Sequence, residues 1–260
     1  MKKLVLNCLV IAALSVMVAF TSCGGGSSSG GGGSSSGKGK IIMKSKGNVK
    51  LNFEGTGTVA IDWGDGNRET HEMGKIIDHY YSDFTERTIT IDGKNITLIN
   101  CSKSRVTFLD VSNCSTLRHL KCHENELTIL DLSKNTKLEV LWCSDNGLIN
   151  LDVSKNTALV SLDCDRNELT SLDVSKCTAL VELDCSHNQL KSLDMSKNRA
   201  LFELNCSGNL LTGSALDALF RTLNSSDKEK SIAINHNPGV KDCDETIAIK
   251  KGWRFRELGY

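Results

Sequence analysis

Hydrophobic and polar positions recur with a fixed period of 21 residues through the middle of the chain. Leucine or isoleucine opens each unit and recurs three positions later, followed by a variable residue and a cysteine; the opening positions are Ile96, Leu117, Leu138, Leu159, Leu180 and Leu201. A fixed period in this range is typical of a solenoid, in which each repeat forms one coil stacked on the last. The pattern therefore predicts six coils over residues 96–211.

Alternation inside each repeat predicts its local structure. Leu162, Asp163 and Cys164 alternate between apolar and polar, which is the period of a β-strand, and residues 172–174 alternate in the same way. We therefore expect parallel strands on two sides of each coil, with leucine, cysteine and valine filling a continuous interior. Burial of each aliphatic side chain contributes about 1.5–3 kcal/mol.

Six cysteines occupy one position of successive repeats: Cys101, Cys122, Cys143, Cys164, Cys185 and Cys206. Neighbouring positions in register on parallel strands lie about 4.8 Å apart, further than the roughly 3.8 Å between the Cβ atoms of a disulfide. A ladder also points its sulfur atoms in one direction, whereas zinc needs ligands that converge tetrahedrally. We expect buried free thiols that pack as small hydrophobic side chains.

The repeat L-x-x-L-x-C-x-x-N-x-L resembles the leucine-rich-repeat family, and is similar to the 21-residue variant of bacterial surface and exported proteins. The match covers residues 96–211, and Ser104 replaces the asparagine in the first repeat, which suggests a join to a preceding module. The resemblance implies an α/β-type repeat solenoid, a β-rich leucine-rich-repeat fold of six coils, and recognition of a protein partner.

Two polar columns accompany the cysteines. One is interpreted as buried amides that bond adjacent coils rather than as a ligand-binding row; it contains Asn125, Asn146, Asn167, Asn188 and Asn209. The other faces water beside lysines or, as the alternative, collects a divalent cation; it contains Asp110, Asp131, Asp152, Asp173 and Asp194.

Residues 1–22 are typical of a bacterial export signal, because Lys2 and Lys3 precede a mostly apolar run over residues 4–20. The run has about the length of a membrane-spanning helix, so a retained anchor is the competing interpretation. Residues 20–23 resemble the lipobox of bacterial lipoproteins, although Phe20 stands where leucine is commoner. The resemblance implies lipidation of Cys23 and a place in the bacterial cell envelope, on either face of the outer membrane. Residues 23–40, nearly all Gly and Ser, predict a flexible tether.

Short alternating runs between residues 41 and 95 predict a small β module, with strands at 49–53, 59–63, 75–81 and 88–91 and a hairpin turn at Asp65-Gly66. The Trp-Gly-Asp-Gly motif at residues 63–66 resembles the PKD-type immunoglobulin-like sandwich, although the segment is shorter than a full domain of that family. Asp62 and Asp65 either hold the turn or chelate a cation.

Residues 212–260 leave the 21-residue period and predict a C-terminal αβ cap, since a solenoid needs an atypical unit to cover its last coil. Ser214 and Asp217 form a candidate capping box for a helix with an apolar face. Further expectations are strands at 232–234 and 253–255, a turn at 237–239 and a short helix at 246–251.

Charge and motifs restrict the function. Lys plus Arg number 31 and Asp plus Glu number 31, so the chain lacks the basic excess typical of nucleic-acid binding. The sequence contains no phosphate loop and no hydrolase or metalloprotease motif. We therefore expect neither an enzyme nor a cofactor.

The outward column of the predicted strands changes from coil to coil; it contains Asn100, Lys121, Trp142, Asp163, Asp184 and Asn205. A solvated strand face also varies, but an exposed tryptophan beside a lysine indicates a surface that a ligand covers. We predict that a monomer binds a protein partner here, with a glycan stacked on the tryptophan as the alternative. The predicted contact residues are His119, Lys121, His123, Trp142, Asp163, Glu182, Asp184 and Glu203.

Overall fold

The computed structural model describes residues 39–225 and 229–256. The predicted export signal, Cys23 and nearly all of the tether lie outside these residues. Six strands form the N-terminal module: β1 (Gly39–Ser45), β2 (Val49–Gly55), β3 (Thr58–Asp62), β4 (Arg68–Glu72), β5 (Ile76–His79) and β6 (Arg87–Gly93). Side chains along β1 alternate between buried and more exposed, as expected for strands that cover a core on one face.

The first repeat contributes two strands, β7 (Ile96–Asn100) and β8 (Val106–Asp110), to different sheets. β8 pairs antiparallel with β1 in a five-stranded sheet of order β4-β3-β6-β1-β8. β7 pairs antiparallel with β2, which in turn pairs with β5. Ile41, Leu51 and Trp63 of the module share one hydrophobic core with the leucines of the repeats. The first coil, whose sequence departs from the repeat at Ser104, therefore belongs structurally to both the N-terminal module and the solenoid.

The later repeats each contribute a three-residue strand, and these strands pair in parallel and in register; they are β9 (His119–Lys121), β10 (Val140–Trp142), β11 (Ser161–Asp163), β12 (Glu182–Asp184) and β13 (Glu203–Asn205). β7 pairs in parallel with β9, so one ten-stranded sheet runs from the module through the solenoid. The predicted parallel stack is confirmed. The first coil, which has no preceding coil, is covered by β2 instead.

The second side of each coil differs from the prediction. Leu172 and Val174 are buried and Asp173 is exposed, as the alternation indicates, but these residues form no strand. The Oδ1 atom of Asp173 accepts a hydrogen bond from the backbone N of Ser175 at 2.8 Å, and this local turn competes with an extended ladder. The prediction of strands on this side is wrong for coils two to five.

The cysteines and asparagines form the predicted ladders. All six cysteines of the column are buried free thiols. Asn167 Nδ2 donates to the carbonyl oxygens of Cys143 at 3.0 Å and Cys164 at 3.1 Å, while its Oδ1 accepts from the backbone N of Leu148 at 3.0 Å. Each amide thus joins one coil to the next, and the structural interpretation of this column is confirmed.

The C-terminal segment begins with a helix, Gly213–Thr222, which buries Leu216, Leu219 and Phe220. Its N-cap is Thr212, whose side chain accepts from the backbone N of Ala215, so the predicted capping box at Ser214 is wrong. The segment continues with β14 (Lys230–Ala233), a short helix at Thr246–Ile249, and β15 (Trp253–Phe255).

Coil stacking continues where the sequence period ends. β14 pairs in parallel with β13, and β15 pairs in parallel with β14. Asn237, predicted only as part of a turn, donates from Nδ2 to the carbonyl oxygen of Cys206 at 2.9 Å and accepts from the backbone N of Leu211 at 3.1 Å. It is the next member of the asparagine ladder, and the inserted helix hides it because the spacing from Asn209 becomes 28 residues instead of 21.

Candidate functional site

The candidate site is the outward surface of β9–β13, which we call the strand face. Lys121, Trp142, Asp163, Asp184 and Asn205 are register partners on consecutive strands, so they form one row across the sheet. A second row contains His119, Val140, Ser161, Glu182 and Glu203. Because parallel strands lie about 4.8 Å apart, neighbouring side chains in each row are close enough to interact.

Trp142 differs from the prediction, since it is partly buried rather than fully exposed. The Nζ atom of Lys121 lies 4.1 Å from the centroid of the Trp142 ring, and the His123 ring lies 6.4 Å from it at a tilt of 55°. A cation over an indole face is attracted to the ring and shields it from water. The lysine therefore covers part of the surface that the sequence assigned to a ligand.

His119 and His123 add little positive charge to the strand face at neutral pH. Burial lowers the pKa of His119, and the carboxylate of Glu139, 3.9 Å away and also paired with Arg118, only partly offsets it. Burial likewise lowers the pKa of His123, whose Nδ1 is 2.9 Å from the Oγ of Ser102. Both imidazoles are mainly neutral at pH 7, which leaves Lys121 as the principal cation of this half.

The acidic half brings together three carboxylates: Asp163, Asp165 and Asp184. Asp163 and Asp184 are register partners on adjacent strands, and Asp165 follows Asp163 by two residues. Burial, followed by repulsion from Asp184 and Asp165, raises the pKa of Asp163 to about 7. Burial and Asp184 also raise the pKa of Asp165. Asp165 was missed in the sequence, where its column of Ser, His and Asp residues gave no sign that it lies beside the central row.

Glu182 and Glu203 extend the acidic half along the second row. Burial and the neighbouring carboxylate of Glu203 raise the pKa of Glu182. The Nη2 atom of Arg256 donates to Glu203 Oε1 at 2.7 Å, so an arginine close to the end of the chain neutralises part of this charge. No local pattern in the sequence identifies this partner, which is 53 positions away.

The aspartates considered as cation ligands use their carboxylate oxygens in hydrogen bonds within the protein. Asp131 Oδ1 accepts from the backbone N of Ser133 at 2.9 Å, and this hydrogen bond lowers the pKa of Asp131. In the N-terminal module, Asp65 Oδ2 lies 2.8 Å from Nε2 of His79, whose ring stacks on Trp63 at 4.2 Å. Among the described residues, no group of three or more His, Cys, Asp or Glu side chains is arranged to hold a metal ion.

In the described part of the chain, two cavities lie away from the strand face. A shallow cavity of about 390 Å³ lies on the opposite flank of the coils, beside Ile129, Asp131 and Asp152. Ile129 is 78% exposed, and Phe108 and Ile149 are also exposed. Another cavity, of about 350 Å³, lies beside Phe202, Arg254 and Phe255 at the last strand. Neither cavity contains any of the predicted contact residues.

Two similar solved structures come from Listeria monocytogenes. The functional domain of InlJ, described as including a cysteine ladder, is 35% identical, with a TM-score of 0.50 over 60% of this chain and 38% of that chain. An internalin (inlF) is 20% identical, with a TM-score of 0.45 over 61% of this chain and 53% of that chain. This chain thus spans well under two thirds of the length of either structure. No protein-family model and no curated protein matches the chain.

The similarity to the InlJ domain agrees with the geometry. Both chains carry a cysteine ladder, and the described residues form a β-rich solenoid like that of leucine-rich-repeat proteins. The similarity to the InlJ domain indicates no catalytic family. Within residues 39–225 and 229–256, no helix has both the length and the apolar character needed to cross a membrane.

Proposed function

We propose that this chain is a non-catalytic, lipid-anchored protein of the bacterial cell envelope that recognises a protein partner through the strand face. Cys23, behind the apolar run at residues 4–20, is the proposed lipidation site, and the Gly/Ser tether separates it from the folded body. The N-terminal module is a PKD-like element, residues 212–260 act as the terminal cap, and the protein acts as a monomer.

The observation that supports recognition at the strand face is the change of chemistry along one rigid row. Lys121 and Trp142 occupy one end, whereas Asp163 and Asp184 follow on the next two strands in register. Structural positions of the repeat stay constant, as the buried cysteines and asparagines do. A row that is cationic on β9 and anionic on β11 and β12 orients a partner of complementary pattern and favours a salt-sensitive association rate.

Trp142 is the proposed anchor of the interface, because aromatic side chains in a well-packed centre contribute disproportionately to binding. Its contact with Lys121 holds the ring in place before a partner arrives. The full set of proposed contact residues is His119, Lys121, His123, Trp142, Asp163, Glu182, Asp184 and Glu203.

The test compares Trp142→Ala with Asp131→Asn in binding to a partner identified from envelope proteins. Asp131 lies on the opposite flank, and asparagine preserves its turn. We expect Trp142→Ala to weaken binding by about 2 kcal/mol, roughly 30-fold, and Asp131→Asn to have little effect. Equal effects from both variants would place the interface elsewhere.

A glycan is the alternative ligand, and the same variants separate it from a protein. A sugar that stacks on Trp142 must displace the Lys121 ammonium or use the other face of the ring. Its binding would depend on Trp142 and its immediate neighbours and would be insensitive to Glu203→Gln, three strands away. A protein that spans the row would respond to changes at both ends.

A further inference from the structure

We propose that the acidic half of the strand face is a proton-sensitive switch, in which Asp163, crowded by the carboxylates of Asp165 and Asp184, takes up one proton near neutral pH. Its uptake then weakens the binding of a cationic partner group to the face. The effect on the partner rests on the proposed function. The uptake of the proton depends only on the arrangement of these three side chains.

The first argument is the concentration of like charge. Asp163 and Asp184 are paired in register on adjacent strands, and Asp165 lies on the same coil as Asp163. Adjacent strands lie about 4.8 Å apart. Negative charges this close together in a partly buried setting disfavour ionisation of all the carboxyl groups. Glu182 precedes Asp184 by two residues on the same strand, β12. The other charged or titratable groups that interact with the cluster are Arg166 and Asp145, which act on Asp165, and the buried thiols of Cys143, Cys164 and Cys185.

The only cation of that set, Arg166, does not neutralise the central carboxylate. Its Nη1 donates to Asp165 Oδ2 at 3.0 Å and lies 3.9 Å from Asp145 Oδ2. On the β10 side, the register partner of Asp163 is Trp142, which carries no charge. Asp163 therefore has carboxylates as its nearest ionisable neighbours and no direct ion pair among the described residues.

Hydrogen bonds decide which carboxylate holds the proton. Asp184 accepts from Ser186 N at 2.9 Å, from Ser186 Oγ at 2.6 Å and from Asn205 Nδ2 at 2.8 Å. Asp163 accepts only at longer distances, from Asp165 N at 3.2 Å and Ser144 Oγ at 3.3 Å. Asp163 is the side chain that takes up the proton, in agreement with the pKa of about 7 to which burial and its neighbours raise it.

Proton uptake changes both the charge of the strand face and the stability of the fold. As pH falls from 8 to 6, Asp163 takes up a proton and the acidic half loses one negative charge. Because the pKa of Asp163 is higher in the folded protein than in the unfolded chain, the folded state binds more protons between pH 4 and 7. Folding stability from this group therefore rises as pH falls from 8 to 6, and it is lost as pH rises through 7.

The experiment uses the full chain and two variants: Asp163→Asn, which removes the titrating group, and Asp173→Asn, a carboxylate on the other side of the coil that serves as the matched control. Carbon-13 NMR of the aspartate carboxyl groups follows proton uptake directly. Thermal unfolding at pH 6 and pH 8 measures its effect on stability. A hexalysine peptide at both pH values and low salt is the cationic probe.

We expect one aspartate carboxyl to titrate near pH 7 in the natural chain and in Asp173→Asn, and to disappear in Asp163→Asn. The melting temperature should rise from pH 8 to pH 6 in the first two proteins, and hexalysine should bind about three- to tenfold more weakly at pH 6. Asp163→Asn should bind the peptide weakly at both values. Any histidine titration contributes equally to all three proteins and cancels in the comparison.

Two results would overturn the proposal, and they are distinguishable. If every aspartate carboxyl of the natural chain titrates below pH 5, the cluster takes up no proton near neutrality, whatever the peptide does. If a carboxyl titrates near pH 7 but hexalysine binds equally at pH 6 and pH 8, the proton has no effect on a cationic group. Equal effects of Trp142→Ala and Asp131→Asn on partner binding would instead remove the proposed function and leave the titration in place.

Discussion

Replacing Asn167 by alanine removes one member of the asparagine ladder that joins consecutive coils. The amide donates to the carbonyl oxygens of Cys143 and Cys164 and accepts from the backbone N of Leu148, all at 3.0–3.1 Å. Asn167 is 7% exposed, so water does not readily replace these bonds. Each backbone group left unpaired in the interior costs about 1–3 kcal/mol. Only Leu148 N is left without this partner, because the carbonyl oxygens of Cys143 and Cys164 still accept from the ladder asparagines of the neighbouring coils. With the two donated hydrogen bonds also lost, we expect a loss of about 2–4 kcal/mol.

The chain contains its own control for this prediction. Asn156 belongs to a second asparagine column, in which its Nδ2 donates to the carbonyl oxygens of Leu132 and Asn135 but its buried Oδ1 has no partner. The next coil carries Cys177 at the equivalent position, with its Sγ 3.6 Å from the Val153 carbonyl oxygen. Asn156→Cys therefore recreates an arrangement already present and removes an unpaired oxygen. We expect it to cost about 1 kcal/mol or less.

Urea unfolding followed by circular dichroism measures both variants, and the slope with denaturant shows whether unfolding stays cooperative. Coils of a solenoid are stabilised by their neighbours, so a weak interface in the middle can also separate unfolding into two steps. Either a large loss or a split transition is expected for Asn167→Ala. A loss below about 1 kcal/mol, or equal losses for both variants, would refute the view that these amides carry the coupling between coils.

Three further predictions concern the thiols, the anchor and a turn. Within the described residues, thiol reagents should label the partly exposed Cys243 in the native protein and leave the buried cysteine column unreactive. The reason is that burial raises the pKa of these thiols, that of Cys101 to about 12. A fall in melting temperature on reduction would instead indicate disulfides. Cys23→Ala should release the protein from membrane fractions, and retention after a high-salt wash would identify the run at residues 4–20 as the anchor. Gly208→Ala should cost about 1–2 kcal/mol, because φ is +65° and the new Cβ would lie 2.6 Å from His187 Nδ1; an unchanged unfolding midpoint would contradict this.

The repeat could be predicted closely because its signals are local and recur in phase. The alternation at Leu162, Asp163 and Cys164 predicts one strand. Because the same pattern recurs in every coil, stacking the coils in register buries all of these leucines. Trp253–Phe255 was predicted as a strand with the correct bounds. Asn237 escaped prediction because the helix inserted before it breaks the spacing, although its hydrogen bonds are those of the other ladder asparagines.

The sequence predicted which side chains lie on the strand face, but it did not predict their charges and contacts. The sequence places Lys121 and Trp142 on neighbouring strands, but not the ammonium over the ring, because the rotamers of both side chains depend on what surrounds them. Nor does the sequence show that burial lowers the pKa of the His119 imidazole. Charge at a given pH depends on solvent exposure and on neighbours, and neither is encoded in a single repeat.

The sequence by itself determined the 21-residue coil, the buried cysteine and asparagine columns, and the row of variable residues, since periodic burial needs only the alternation of apolar and polar positions. Tertiary structure decided that β8 leaves the first coil to pair with β1, and that one sheet runs from β5 to β15. It also decided that Asp163 lies beside Asp184 with no ion pair to any residue of 39–225 or 229–256. These outcomes depend on backbone pairing and electrostatic fields between residues distant in the chain, and such interactions form only when the whole fold is assembled.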